Sequence, residues 1–143
     1  MKTAKIAGCL LLTGLAGCSL EPYQLPDGAE SARLKVASNA SRAWVCDASS
    51  SIKKLMPDES GYAVIPAGHR VTIGASFVAT GYHVTYSCFP KISLVPVAGA
   101  SYYQDFETEA ERCTSLIFRE VTTNPVGLDF EPSEGGAIAC PAK

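Results

Sequence analysis

The sequence predicts an all-β domain, an antiparallel β-sandwich stapled by two disulfides. Three observations carry that expectation. Residues 69–80 alternate, with Val71, Ile73, Ala75, Phe77 and Ala79 on one face and Arg70, Thr72, Gly74, Ser76 and Thr80 on the other. A period of two over that length is a half-buried strand. Chain-reversing residues recur at Pro66-Ala67-Gly68, Gly81, Ala98-Gly99 and Asn124-Pro125, a spacing suited to the turns of a sandwich or barrel. Four cysteines, Cys46, Cys88, Cys113 and Cys140, lie in the same region. An even number in an exported chain marks two disulfides.

The expectation of export comes from the N-terminus. Lys2 and Lys5 form a basic start, and Ile6 to Leu15 form an apolar run that ends in small residues. This is the layout of a secretory signal, and the run is too short for a bilayer span of roughly 20 residues. Residues Leu15-Ala16-Gly17-Cys18 resemble the lipobox of bacterial lipoproteins: a large apolar residue, two small ones that fit a narrow peptidase site, then a thiol. The resemblance implies removal of residues 1–17, Cys9 included, and attachment of diacylglycerol to Cys18. Two or three acyl chains at about 0.8 kcal/mol per buried CH₂ would anchor the chain to a membrane. Ser19 stands where the inner-membrane retention signal of enteric lipoproteins places Asp, so the resemblance points to an outer-membrane lipoprotein facing the periplasm or the cell surface. Residues 18–30 contain Pro22, Pro26 and Gly28 without apolar periodicity and read as a lipidated tether. Residues 31–143 remain as one domain, too short for two.

Within that domain, Leu34 and Val36 alternate with Arg33 and Lys35 as the first strand. Residues 50–56 read as a helical turn. After the strand over 69–80, Val84, Tyr86 and Cys88 alternate with His83, Thr85 and Ser87, and Ile92 and Leu94 continue until Pro96 marks an end or an edge. Aromatic and β-branched runs over 102–108 and 113–121 complete the set. From Ile65-Pro66-Ala67-Gly68 through Pro96-Val97-Ala98-Gly99 and Tyr102-Tyr103 to Cys140-Pro141, the order of features resembles a group of small bacterial envelope lipoproteins. That resemblance implies an immunoglobulin-like or transthyretin-like sandwich and lends no activity. Four cysteines allow three pairings. Pairing Cys46 with Cys88 and Cys113 with Cys140 is the expectation, because it would pin the C-terminal tail.

The precursor carries 12 basic and 14 acidic residues; without Lys2 and Lys5 the balance is ten against 14, a net charge of −4. That balance excludes nucleic acid as a partner chosen by bulk charge. No GxSxG elbow, HExxH helix, glycine-rich phosphate loop or CxxC pair is present, so the sequence implies no enzyme, metal or cofactor. The two histidines, His69 and His83, are expected to face solvent. Asp105, Glu107, Glu109 and Glu111 recur every second residue and form one negative stripe if the strand from Tyr102 continues. Such a stripe either holds Ca²⁺ or is a solvated edge that discourages sheet association. Trp44, Tyr102 and Tyr103 are the candidate aromatic platform. Tyr102 shares a face with Phe106 as core residues do, which leaves Tyr103 for the surface. Tyr103, Asp105, Glu107 and Glu109 are therefore the expected binding surface.

These features lead to a membrane-anchored, non-enzymatic interaction or structural module that meets an envelope protein or a cell-wall polymer. The alternative is an inhibitor or immunity protein against a periplasmic hydrolase such as a lysozyme. Ser60-Gly61-Tyr62 resembles part of the Ser-Gly-x-x-Tyr loop of lysozyme inhibitors, with different spacing.

Overall fold

A computed structural model describes residues 19–109 and 112–142. The signal segment expected over 1–17, Cys18, expected to carry lipid, and the acidic Glu111 lie outside the described residues. Among the described residues ten strands run in chain order: β1 Ser31–Val36, β2 Ala40–Asp47, β3 Lys53–Lys54, β4 Tyr62–Pro66, β5 Val71–Gly81, β6 Val84–Cys88, β7 Lys91–Leu94, β8 Ser101–Glu109, β9 Arg112–Glu120 and β10 Leu128–Phe130. They form two sheets, β10-β9-β8-β1-β4 and β3-β2-β5-β6, and β7 also pairs with β5. The all-β, disulfide-bearing sandwich expected from alternation is present. The sheets are not purely antiparallel, because β1 runs parallel to β8, with Leu34 opposite Tyr102.

The alternating residues explain which faces meet. Ala32 and Leu34 of β1, Ala63 and Ile65 of β4, Tyr102 of β8 and Ile117 of β9 point inward from the first sheet. Val45, Val71, Ile73, Ile92 and Leu94 meet them from the second. Each fully buried Leu or Ile removes enough apolar surface to contribute about 1.5–3 kcal/mol. Tyr102 keeps its hydroxyl in this core by accepting the Val97 amide at 2.9 Å. Gln104 and Ser115 are buried beside it and share a 2.7 Å hydrogen bond.

The polar face of β5 is buried as well, which alternation alone does not foresee. Thr72 and Ser93 are fully buried because the C-terminal segment crosses the outside of the second sheet. Ile138 exchanges two hydrogen bonds with Thr72 Oγ1, of 2.9 and 3.1 Å. Ser93 bridges Gly135 through backbone bonds of 2.9 and 3.0 Å. The expected disulfide pairing is corrected here: Cys46 joins Cys140, and Cys88 joins Cys113. Cys46 lies opposite Thr72 on the face that the tail covers, so the tail is indeed pinned, but through Cys46. Cys88 and Cys113 close the two sheets at one end of the sandwich.

Two further expectations change. Residues 50–56 form no helical turn. Ser49 and Ser50 hydrogen-bond to Asp47, and Leu55 is buried after the short strand β3. Strand β6 is not half-buried either, since Val84 to Ser87 are exposed on both faces. Its alternation is real, but no second layer reaches over it.

Candidate functional site

Chain entry defines one pole of the molecule. Glu21 to Tyr23 dock beside β3 through a parallel bridge between Pro22 and Lys54 and backbone bonds of 2.8 Å. Glu21 and Lys53 add an ion pair. The segment read as a free tether is thus held to the domain at these residues. Its direction follows from the pairings: it runs parallel to β3, β3 is antiparallel to β2, and β2 is antiparallel to β5. The chain therefore arrives from the Val71 end of β5.

A cleft of about 680 Å³ lies at this pole, lined among others by Tyr23, Glu30, Asp47, Lys53 and His69. His69 faces solvent as expected, with its side chain about half exposed, and its Nε2 lies 3.3 Å from Asp47 Oδ2. Burial of Asp47 works against its charge, but hydrogen bonds from the Ser49 hydroxyl and amide, from Ser50 and from His69 outweigh it and hold the carboxyl down to about 2. A histidine beside a carboxylate is two-thirds of a hydrolytic triad. Here the Ser49 hydroxyl donates to Asp47 Oδ1 at 2.7 Å, and the Ser50 hydroxyl accepts the Asp47 amide at 3.1 Å. Neither serine is hydrogen-bonded to the imidazole, and the group acts as the clasp of a turn.

The opposite pole is the β5–β6 hairpin. Strand β2 leaves β5 at Phe77, so Val78 to Gly81 are paired only with β6. From Phe77 to Pro90 the chain has no Asp, Glu, Lys or Arg. Tyr82 at the tip is 91% exposed and Phe89 69% exposed, with Val78, Val84 and Tyr86 each about half exposed. His83, the other expected solvent histidine, closes the tip with φ 60° and packs edge-on against Tyr82 at 4.1 Å between centroids. A two-stranded ribbon of this kind is marginal alone. Here the disulfide from Cys88 to Cys113 ties its base to β9. Sequence reasoning named none of these residues as a site, although the charge-free run was visible.

The expected binding surface lies on the outward face of the first sheet. Tyr102 is buried and Tyr103 faces out, as their neighbouring positions require. Asp105, Glu107 and Glu109 continue that face along β8. Glu109 stands opposite Arg112 in register, and Asp105 Oδ1 accepts the Phe106 amide at 2.8 Å. Among the described residues no three His, Cys, Asp or Glu side chains are grouped to hold a metal ion.

Tyr103 instead borders a shallow groove of about 790 Å³ with Lys35, Tyr62, Ser101 and Glu120. Tyr62 donates to Glu120 Oε1 at 2.6 Å, and that bond, with burial, raises the Tyr62 pKa. Burial, then the nearby Asp105 charge, raises that of Tyr103. Trp44, the third aromatic candidate, is elsewhere: it packs flat on Gly74, where an added Cβ would come within 2.1 Å of the ring. No protein-family model, curated protein or solved structure matches this chain.

Proposed function

We propose that the chain is a membrane-anchored envelope lipoprotein that works without catalysis, as an interaction module presenting its β5–β6 hairpin to another envelope protein. The observation that carries this reading is the placement of the hairpin at the pole opposite chain entry. Cys18 precedes the docked Glu21 by three residues, a reach of at most about 10 Å. With lipid on Cys18, the entry pole rests close to the bilayer. From Gly74, level with the docked segment, β5 runs seven residues to Gly81, roughly 23 Å further from that pole. The hairpin then points away from the membrane that holds the chain. Ser19 after the lipidated cysteine favours the outer membrane, with the domain facing the periplasm.

The hairpin has the composition of an interface core: two tyrosines, a phenylalanine and two valines without a charge to desolvate. Its edges offer unpaired strand backbone, which natural sheets normally blunt with lysine or proline. A photoreactive phenylalanine analogue at Tyr82, introduced in intact cells, tests the reading. It should give one discrete adduct with a second protein, whereas the same analogue at Glu107 should not. An equal smear from both positions would count against it.

A second reading shares the hairpin. A disulfide-anchored ribbon with a tyrosine at its tip also fits the cleft of a hydrolase, as an inhibitor or immunity protein would. Slowing of a muramidase or amidase by the protein, lost in Tyr82→Ser, would select that reading. Unchanged rates across a panel of such enzymes would remove it.

A further inference from the structure

The groove beside Tyr103 carries an inference that is independent of the hairpin and of the anchor. Its lining comes from β4, β1, the start of β8, the end of β9 and the connection over residues 121–128, and it lies open. Small-molecule sites bury most of their ligand, whereas a shallow groove across several strands suits an extended chain. One cation, Lys35, lines it, and a second, Arg33, borders it behind Ser101. The guanidinium of Arg33 lies 4.7 Å from the centre of the Tyr62 ring and Lys35 Nζ lies 5.6 Å from it. Arg33 is further held by donating to Ser101 Oγ at 3.1 Å.

Neither cation has a carboxylate partner among the ion pairs of the described residues. The acid that lines the groove, Glu120, accepts from the Tyr62 hydroxyl. The charge of Asp58, which accepts the Tyr62 amide at 3.1 Å, reaches Arg33 without an ion pair, so Lys35 is the groove's own cation, positioned beside an outward tyrosine. A chain that matches must offer a flat apolar face for Tyr103, hydroxyl or amide groups for Glu120 and Ser101, and an anion for Lys35 and Arg33. Sugar rings present both the apolar face and the polar rim, and the aromatic side chain supplies the complementary surface.

We propose that this groove binds an acidic oligosaccharide, with a ring on Tyr103 and a carboxylate held by Lys35 and Arg33. Tyr62 acts as a positioning residue, because its ring sets the two cations and its hydroxyl sets Glu120. The carboxylate is the discriminating feature. A charge-assisted hydrogen bond is worth about tenfold in affinity.

The test is calorimetric titration of the full-length protein in detergent micelles with three probes. These are a tetrasaccharide alternating N-acetylglucosamine with lactyl-bearing N-acetylmuramic acid, a neutral N-acetylglucosamine tetrasaccharide, and tetraglutamate. The acidic tetrasaccharide should bind with a Kd below about 1 mM, weakened by salt. The neutral one should bind about tenfold more weakly. Lys35→Met should weaken the acidic sugar more than the neutral one and so narrow that difference, and Lys35→Arg should restore it. Tyr103→Ser should weaken both sugars, with the unfolding midpoint showing that the fold is kept. Equal affinity for the two sugars overturns the role of the cations. Binding of tetraglutamate as tight as the acidic sugar assigns the groove to acidic peptide, and no heat from either sugar overturns the proposal. Each of these outcomes leaves the hairpin and the anchor untouched.

Discussion

Arg119 reaches across the inner end of β9 to place Nη2 2.8 Å from Oε2 of Glu131, a carboxylate that is almost wholly buried. The guanidinium also lies 5.8 Å above the Tyr102 ring. The second Glu131 oxygen accepts the Ser133 hydroxyl at 2.6 Å and its amide at 3.0 Å. Ser133 in turn takes the Val95 amide at 2.9 Å. One charged pair thereby joins β9 to the start of the C-terminal strap.

Removing one partner of that pair leaves the other charge buried without compensation. Arg119→Met is expected to cost about 3 kcal/mol, the low end for a broken buried pair because a third of the arginine is exposed. The replacement of both, Arg119→Met with Glu131→Leu, should recover much of that loss. Urea unfolding of the single and double variants gives the comparison. A double variant no better than the single one would contradict this account of the pair.

Gly74→Ala tests the packing of Trp44. The added Cβ would sit 2.1 Å from the indole, so the ring must leave its place on the second sheet. Overpacking of this kind costs roughly 1–3 kcal/mol. Trp44 is the only tryptophan, so its fluorescence reports the displacement directly. An unchanged spectrum and melting point would refute the close contact.

The Asp47 clasp should make stability acid-sensitive. A carboxyl held at about 2 in the fold, against an ordinary value near 4, favours the folded state above pH 4 and loses that advantage as the pH falls towards 2. Asp47→Asn should therefore be less stable than wild type by about 1–2 kcal/mol at neutral pH, and the two should converge by pH 2. Denaturant midpoints measured from pH 7 down to pH 2 would expose a difference that fails to narrow.

Much of the fold was legible because each strand carries its own alternation. Val71, Ile73 and Ala75 face inward as their spacing requires, and Tyr102 and Phe106 share the buried side of β8. Three things were not legible, all of them long-range. The partner of Cys46 depends on a tail returning across the sheet after 94 residues. The burial of Thr72 and Ser93 depends on the same tail. The groove depends on β4, β1 and β8 lying side by side, which brings Lys35, Tyr62 and Tyr103 together from distant positions. Local pattern sets which side of a strand is apolar, whereas topology sets which strands are neighbours.

The Cys46–Cys140 bridge closes the longer loop and should contribute about 4–5 kcal/mol through the entropy of the unfolded chain. Cys46→Ser with Cys140→Ser is expected to lose that stability and to expose the amides of Ser93 and Ile138 to exchange, since the strap is no longer tied at its end. Hydrogen exchange with mass spectrometry reads both effects. Protection that persists unchanged at Ser93 would show the strap to be held by its hydrogen bonds alone.

The proposed orientation of the molecule requires a lipid on Cys18, and partition into Triton X-114 tests that most directly. Mature wild-type protein should enter the detergent phase and show the mass of its acyl chains on Cys18. Cys18→Ala should accumulate as uncut or mis-processed precursor without them. Wild-type protein found in the aqueous phase, with Cys18 free or in a disulfide, would contradict the assignment and make the chain an ordinary secreted protein.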